Sequence, residues 1–269
     1  MQAIFISDAH LKTSDTQGYK NLMAFLDSLR GREDDQVEGR AGGVRSDNGQ
    51  ANGAGIDDLY ILGDFFDFWF CERGIVYPEF HAIIEKLTEL KDRGIGIHIC
   101  EGNHDFFLED YFATELGFEV IKDWATIDLE GRRVLISHGD TVDEGNIRYL
   151  LLRQLLRSSF FYKLQRALPV AFRWKAAQIS SRISKAVTVE STDILAEKMR
   201  RFSLRKFREG FEAVILGHCH KHLLEEPVIN GAKKTFVILG DWVRHASYLS
   251  YKDGAFALSS FRSSGRLSK

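Results

Sequence analysis

Six short apolar runs, each closed by a polar signature, set the rhythm of the chain. They occupy residues 3–7 before Asp8, 58–62 before Gly63, 95–100 before Glu101, 133–137 before His138, 213–216 before Gly217 and 235–239 before Gly240. Unbroken apolar runs of this length predict strands buried on both faces, as in a layered α/β architecture. The polar residues at their carboxyl ends are then expected to line a crevice, where such folds place ligands. Between the runs, residues 19–30 carry helical spacing at Leu22, Phe25, Leu26 and Leu29, and residues 78–93 form a second amphipathic segment closed by Gly94.

Two intervals break the alternation of strand and helix. A stretch rich in Gly, Asp, Asn and Ala, at about 31–56, reads as a flexible insertion with no part in the core. The long interval between His138 and His218 reads as helices carrying apolar residues (Leu151, Leu152, Leu155, Phe160, Phe161, Leu164, Leu168) together with many Arg and Lys. A helical lid over about 145–208, within a single domain spanning 1–269, is the expectation.

Composition sharpens this picture. The 44% hydrophobic and 12% aromatic fractions suit a sizeable core in a chain of 269 residues. Net charge is only −2, which gives no global attraction to nucleic acid, but the distribution is lopsided. Positions 148–208 hold fifteen Lys/Arg against three acids, a net of +12, leaving −14 for the remainder. An acidic body suits cations, and a basic segment suits an anionic partner. Three scattered cysteines, Cys71, Cys100 and Cys219, argue against a disulfide scaffold and for a reducing cytoplasm. The amino terminus reads as a first strand rather than a signal peptide, and no apolar run approaches the ~20 residues of a membrane span.

The polar signatures carry the chemistry. In order they are Asp8-Ala9-His10, Gly63-Asp64, Gly102-Asn103-His104-Asp105, His138-Gly139-Asp140 and Gly217-His218-Cys219-His220. Hard carboxylate oxygens, imidazoles and an amide form the mixture that a pair of divalent ions requires, with one carboxylate able to bridge. Residues i and i+2 of an extended segment share a face, so the D-x-H and H-x-H spacings direct both side chains to one cavity. Any one of these histidines alone would more often be structural; five such motifs, each following a strand-like run, are not explained that way. Asp140 is read as a turn residue or a partner of His138, Cys219 as a small packed hydrophobe, and Asp67 as a support for a ligand or a helix cap.

This order and spacing resembles the calcineurin-like metallophosphoesterase superfamily, whose pattern is D-x-H, G-D, G-N-H-D, H and G-H-x-H. The resemblance implies an α/β fold, a four-layer α/β/β/α sandwich. It implies that Asp8, His10 and His220 hold one divalent ion, that Asn103, His138 and His218 hold another, and that Asp64 bridges them. A water shared by the two ions, manganese in the family's pattern, would be the nucleophile. His104 would stabilise charge on the phosphoryl group or protonate the leaving oxygen, with Asp105 orienting its ring.

A narrower resemblance rests on residues 65–70, His138-Gly139-Asp140-Thr141, 149–153, Ala167-Leu168-Pro169, Ser184-Lys185 and Leu239-Gly240-Asp241-Trp242. These are similar to the UDP-2,3-diacylglucosamine diphosphatases of lipid A biosynthesis. That implies hydrolysis of a nucleotide-linked lipid to UMP and 2,3-diacylglucosamine 1-phosphate by a cytoplasmic protein touching the inner face of the membrane. It implies Tyr149, Arg153, Arg182, Ser184 and Lys185 as substrate contacts. Two positions depart from that family: His104 stands where an Arg is usual, and His220-Lys221-His222 replaces H-R-P. They leave open a phosphoesterase for a soluble nucleotide or another phosphoester. A noncatalytic scaffold would be missing metal ligands, and this chain is missing none; neither a nucleic acid nor an obligate protein partner is expected.

Overall fold

The structure is a computed structural model that describes residues 1–31, 55–69, 71–72, 75–167 and 191–262. The chain opens with β1 (Gln2–Ile6) and α1 (Gln17–Ser28), then β2 (Asp58–Leu62), the small hairpin β3 (Cys71–Glu72) and β4 (Ile75–Val76), α2 (His81–Asp92), β5 (Gly96–Cys100), β6 (Glu119–Ile121), β7 (Trp124–Leu129) and β8 (Arg132–Ser137). Three helices follow, α3 (Ile147–Leu156), α4 (Ser159–Ala167) and α5 (Thr192–Arg208). The chain ends with β9 (Ala213–Leu216), β10 (His222–Glu225), the hairpin β11 (Val228–Ile229) and β12 (Ala232–Lys233), β13 (Thr235–Leu239), β14 (Ser247–Lys252) and β15 (Ala255–Ser260). All six strands expected from the apolar runs are present.

They divide between two sheets. One runs β15-β14-β1-β2-β5-β6, with β1, β2, β5 and β6 parallel; the other runs β10-β13-β9-β8-β7, with β8, β9 and β13 parallel. Alternate residues of each strand face opposite layers. Ala3, Phe5, Tyr60 and Leu62 of the first sheet meet Val134, Ile136, Ile215, Val237 and Leu239 of the second in a middle core. Ile4, Ile6, Leu59, Ile61, Ile97 and Ile99 face outward onto α1 and α2 (Leu22, Leu26, Ile83, Leu87). Leu135, Val214, Leu216 and Ile238 face α5 through Leu195, Met199 and Phe202. Two-sided burial explains why the runs are unbroken, and the layers are α/β/β/α. At roughly 1.5–3 kcal/mol per fully buried large apolar side chain, these three cores dominate the favourable terms.

One expectation changes here. Helix α5 falls inside the interval read as lid, yet it is the outer layer of the sandwich, and several of its basic residues are engaged by acids: Arg200 with Glu225, Lys198 with Asp143, Arg205 with Glu144. Among the described residues α3 and α4 carry the lid character, and their apolar residues Ile147, Leu151, Leu155, Phe160 and Leu164 are all exposed, from 49% to 72%. The insertion read at about 31–56 lies almost entirely outside the described residues, as do Arg182, Ser184 and Lys185.

At the amino ends of the parallel strands, His98 bridges Asp58 (Nε2, 2.8 Å) and Glu119 (Nδ1, 2.6 Å) and stacks on Tyr60. Burial opposes its charge, but the two carboxylates prevail and raise its pKa. A raised folded pKa stabilises fully below the unfolded value near 6.5, and the stabilisation is lost as pH rises through the folded value. Replacement His98→Gln is therefore expected to lower stability by about 1–2 kcal/mol more near pH 6 than near pH 9. Thermal unfolding at the two pH values checks it; an equal loss at both would contradict the charged bridge.

Candidate metal centre

Parallel strands of one sheet share a carboxyl edge, so β1, β2 and β5 deliver Asp8, Asp64 and the 101–105 loop side by side. The second sheet delivers His138 after β8 and His218 after β9 to the same place. The two edges are sewn together: His138 Nδ1–H donates to the Leu62 carbonyl (2.9 Å), and the His218 backbone N–H donates to Asp8 Oδ2 (2.9 Å). At Gly63, with φ +81°, an added Cβ would stand 2.7 Å from the His138 ring, so only glycine lets the sheets close this tightly.

The backbone itself is bent to aim these groups. Asp8, His10, Asp64, His218 and His220 all have positive φ, between 45° and 63°. Left-handed conformations cost non-glycine residues roughly 1–2 kcal/mol each, and they persist where the surroundings over-determine them, commonly at functional sites.

Among the described residues three trios of donors result, and two of them share no residue. Asp8, His10 and His220 bring one ligand atom each within 4.8 Å of one another, and Asp64, His138 and His218 do the same. In the first, His10 Nε2 and His220 Nε2 lie 3.1 Å apart and Asp8 Oδ1 is 3.2 Å from His220 Nε2. In the second, His138 Nε2 lies 3.2 Å from His218 Nδ1 and 3.0 Å from Asn103 Oδ1. Asp64 Oδ2, a member of the second trio, also faces the first: it lies 3.8 Å from His10 Nε2 and 3.5 Å from His138 Nε2.

Electrostatics favour a cation. Asp8, Asp64, Asp67, Asp140 and Asp241 are all buried around these imidazoles, and among the described residues Asp8 Oδ1 has no hydrogen-bond donor. Buried carboxylates demand compensating charge. Burial pushes His10 and His218 down to about 4, so both rings are neutral and offer lone pairs. Burial would lower His138 as well, but Asp64, Asp8 and Asp140 hold it up to about 10, which places a proton where a cation would sit. Asp64 is opposed by burial yet held well below the usual carboxylate range by His138 and His104. Paired imidazole nitrogens, an amide oxygen and a shared carboxylate oxygen are a donor set that fits divalent ions.

The calcineurin-like phosphoesterase profile matches residues 1–222. The chain belongs to that family. It is a metal-dependent phosphoesterase. Among curated relatives, UDP-2,3-diacylglucosamine hydrolases align along nearly the whole chain. The one from Pseudomonas paraeruginosa is 31% identical over 91% of this chain and 92% of its own. That from Nitrosococcus oceani is 31% identical over 97% and 96%, and that from Aeromonas salmonicida 29% over 94% and 91%. A solved phosphoesterase from E. coli covers 97% of this chain at 14% identity with a TM-score of 0.41, too loose a likeness to argue from.

Several residues in this phosphoesterase take partners other than those expected. His104 is not oriented by Asp105: its Nδ1–H donates to the Asp67 carbonyl (3.1 Å), which leaves Nε2 facing Asp64 Oδ2 at 4.0 Å. Asp105 instead accepts three backbone N–H bonds, from Asp64 (2.9 Å), Gly102 (2.9 Å) and Phe66 (3.0 Å). Asp140 acts on His138 through charge and not through a hydrogen bond. It accepts from Tyr149 Oη (2.5 Å) and Arg153 Nε (2.7 Å), so both expected substrate contacts have an intramolecular partner and fasten α3 beside His138. Asp67 pairs with Lys12 (2.7 Å) behind His10, and Cys219 is buried among apolar residues.

Two supporting residues escaped the sequence. Asp241 Oδ2 lies 3.7 Å from His220 Nδ1 and 3.2 Å from His245 Nδ1. Its signal was a second Gly-Asp pair closing an apolar run, like Gly63-Asp64. Ser7 Oγ, 2.5 Å from Asp8 Oδ2, gave no signal at all.

Proposed function

We propose that this phosphoesterase cleaves the pyrophosphate of UDP-2,3-diacylglucosamine with water, giving UMP and 2,3-diacylglucosamine 1-phosphate, and that it works with two divalent ions, manganese in the first instance. The observation that carries the chemistry is Asp64 Oδ2 poised between His10 Nε2 and His138 Nε2. In this reading Asp8, His10 and His220 hold one ion, and Asn103, His138 and His218 the other. When bound, such ions polarise phosphoryl oxygens and lower the pKa of water enough for attack at neutral pH.

The chain's own residues do the rest. The Leu62 and Asp67 carbonyls fix the tautomers of His138 and His104, and Asp241 steadies His220. His104 Nε2 is left free to meet a phosphoryl oxygen; in its imidazolium form it donates a hydrogen bond to developing charge. The leaving group is a phosphomonoester, which departs readily enough that His104 can act by charge alone.

The lipid is argued from α3 and α4. Ile147, Leu151, Leu155, Phe160 and Leu164 present apolar surface on helices bound directly to the ligand-bearing loops. Burying acyl methylenes is worth about 0.8 kcal/mol each, so four or five give roughly 3–4 kcal/mol, or a hundredfold or more in kcat/KM. With manganese, the acylated substrate is expected to be turned over at least about a hundredfold better than its deacylated form, and chelation to abolish both. Equal turnover of the two, or a preference for soluble diesters, would point to a soluble-nucleotide phosphoesterase.

A peripheral membrane contact belongs to the same reading. No helix among the described residues is long and apolar enough to cross a membrane. The exposed apolar residues of α3 and α4 stand beside Arg148 and Lys163, which are also exposed. Each Lys or Arg near anionic lipid adds about 1 kcal/mol. Flotation with anionic vesicles at low salt is expected to carry the protein and to weaken in Leu151→Ser/Phe160→Ser; a protein left at the bottom of the gradient would remove this contact.

A further inference from the structure

Helix α3 reverses the usual arrangement of a surface helix. Its apolar stripe (Ile147, Leu151, Leu155) is exposed, whereas the stripe turned to the protein is polar, formed by Tyr149, Arg153 and the C-cap residue Arg157 at a spacing of four. Tyr149 and Arg153 end on Asp140, two residues from His138. Arg157 reaches a different loop.

Its Nη1 donates to Glu101 Oε2 (2.8 Å) and to the Lys122 carbonyl (2.9 Å), and its Nη2 donates to the Gly102 carbonyl (2.7 Å). The other oxygen of Glu101 accepts from Leu108 N (3.0 Å), so one carboxylate closes the two ends of the 101–108 loop and Arg157 holds that carboxylate. The guanidinium also lies 5.6 Å from the Phe106 ring centre. Its side chain is 14% exposed, and that of Glu101 is 6%. A guanidinium so occupied is not a solvated charge, and a planar fork suits two carbonyls and a carboxylate as a lysine ammonium does not. Between Gly102 and Leu108 lie Asn103 and His104, the two residues that must be presented to Asp64. On the other side of Gly102, its N–H is held by Asp105.

We propose that Arg157 is a positioning residue: by gripping the Gly102 carbonyl and Glu101 it presents Asn103 and His104 to the reaction, so that seating α3 and setting the catalytic loop are one event. This rests on the phosphoesterase chemistry and not on the lipid substrate.

The test uses the full chain with manganese, bis-p-nitrophenyl phosphate as substrate, and hydrogen exchange as a readout independent of turnover. Arg157→Ala is expected to speed exchange of the 102–108 amides by about tenfold or more. It should also lower kcat by about 10- to 100-fold with KM little changed, the range seen when a partner behind a functional group is removed. Arg157→Lys keeps the charge without the fork and should recover little of either. Gln154→Ala, an exposed change on the same helix, should change neither. Unchanged exchange in Arg157→Ala, full rescue by Arg157→Lys, or a loss confined to KM for an acylated substrate would each overturn the assignment. An enzyme that hydrolyses the diester but ignores UDP-2,3-diacylglucosamine would end the substrate reading and leave this one intact.

Discussion

Asp64→Ala is expected to reduce hydrolysis of bis-p-nitrophenyl phosphate by about a thousandfold or more at saturating manganese, a loss of roughly 4 kcal/mol or more in transition-state stabilisation. The size follows from position. Among the described residues Asp64 Oδ2 is the one carboxylate oxygen that faces both His10 Nε2 and His138 Nε2, and Oδ1 accepts the His104 backbone N–H (2.9 Å). Removing it takes away the shared anion and the anchor of the catalytic loop together. Asp64→Asn keeps an acceptor for His104 N but not the charge, so its activity should be almost as low. Steady-state kinetics with metal content measured on the same samples decides it. An asparagine variant close to wild type would mean that charge at this point is dispensable.

Asp105→Ala should be the largest single loss of stability at the site. The carboxylate satisfies the backbone N–H groups of Asp64, Phe66 and Gly102, all in the buried interior. A buried donor left without a partner costs about 1–3 kcal/mol; the Gly102 N–H keeps the Asp105 carbonyl (3.1 Å), so the two orphans at Asp64 and Phe66 amount to roughly 4 kcal/mol, against the 5–15 kcal/mol that stabilises a typical domain. At about 2–4 °C per kcal/mol for a chain of this size class, the melting temperature should fall by roughly 10 °C or more. Had Asp105 served only to orient the His104 ring, as the G-N-H-D motif implied, the variant would lose turnover and keep its stability. Calorimetry beside kinetics separates the two roles, and a melting temperature within a degree or two of wild type would contradict the clamp.

The contrast over Asp105 marks where the sequence stops being informative. Ligand identities and order were legible because each ligand follows an unbroken apolar run, and parallel strands share one carboxyl edge. Partnerships were not, because they form across residues distant in the chain: the Asp67 carbonyl for His104, Asp140 for Tyr149 and Arg153, Glu101 for Arg157. Strand β14 was missed for a related reason. Its buried positions, Ser247, Leu249 and Tyr251, alternate with half-buried ones, so no continuous apolar run announces it. Helix α5 was assigned to the lid because its basic residues dominate the pattern, although they lie outside the stripe of Leu195, Met199 and Phe202 that packs on the second sheet. The left-handed backbone at Asp8, His10, Asp64, His218 and His220 could not be read from residue type, since none of these positions is glycine.

Counting bound manganese while recording its electron paramagnetic resonance tests the central claim most directly. If side chains from β1, β2, β5, β8 and β9 surround one pair of ions through Asp64, the wild-type chain should bind two per molecule with the spectrum of a spin-coupled pair, and Asp64→Ala should lose that coupling. A wild-type chain that binds a single ion, or two with uncoupled spectra, would contradict it.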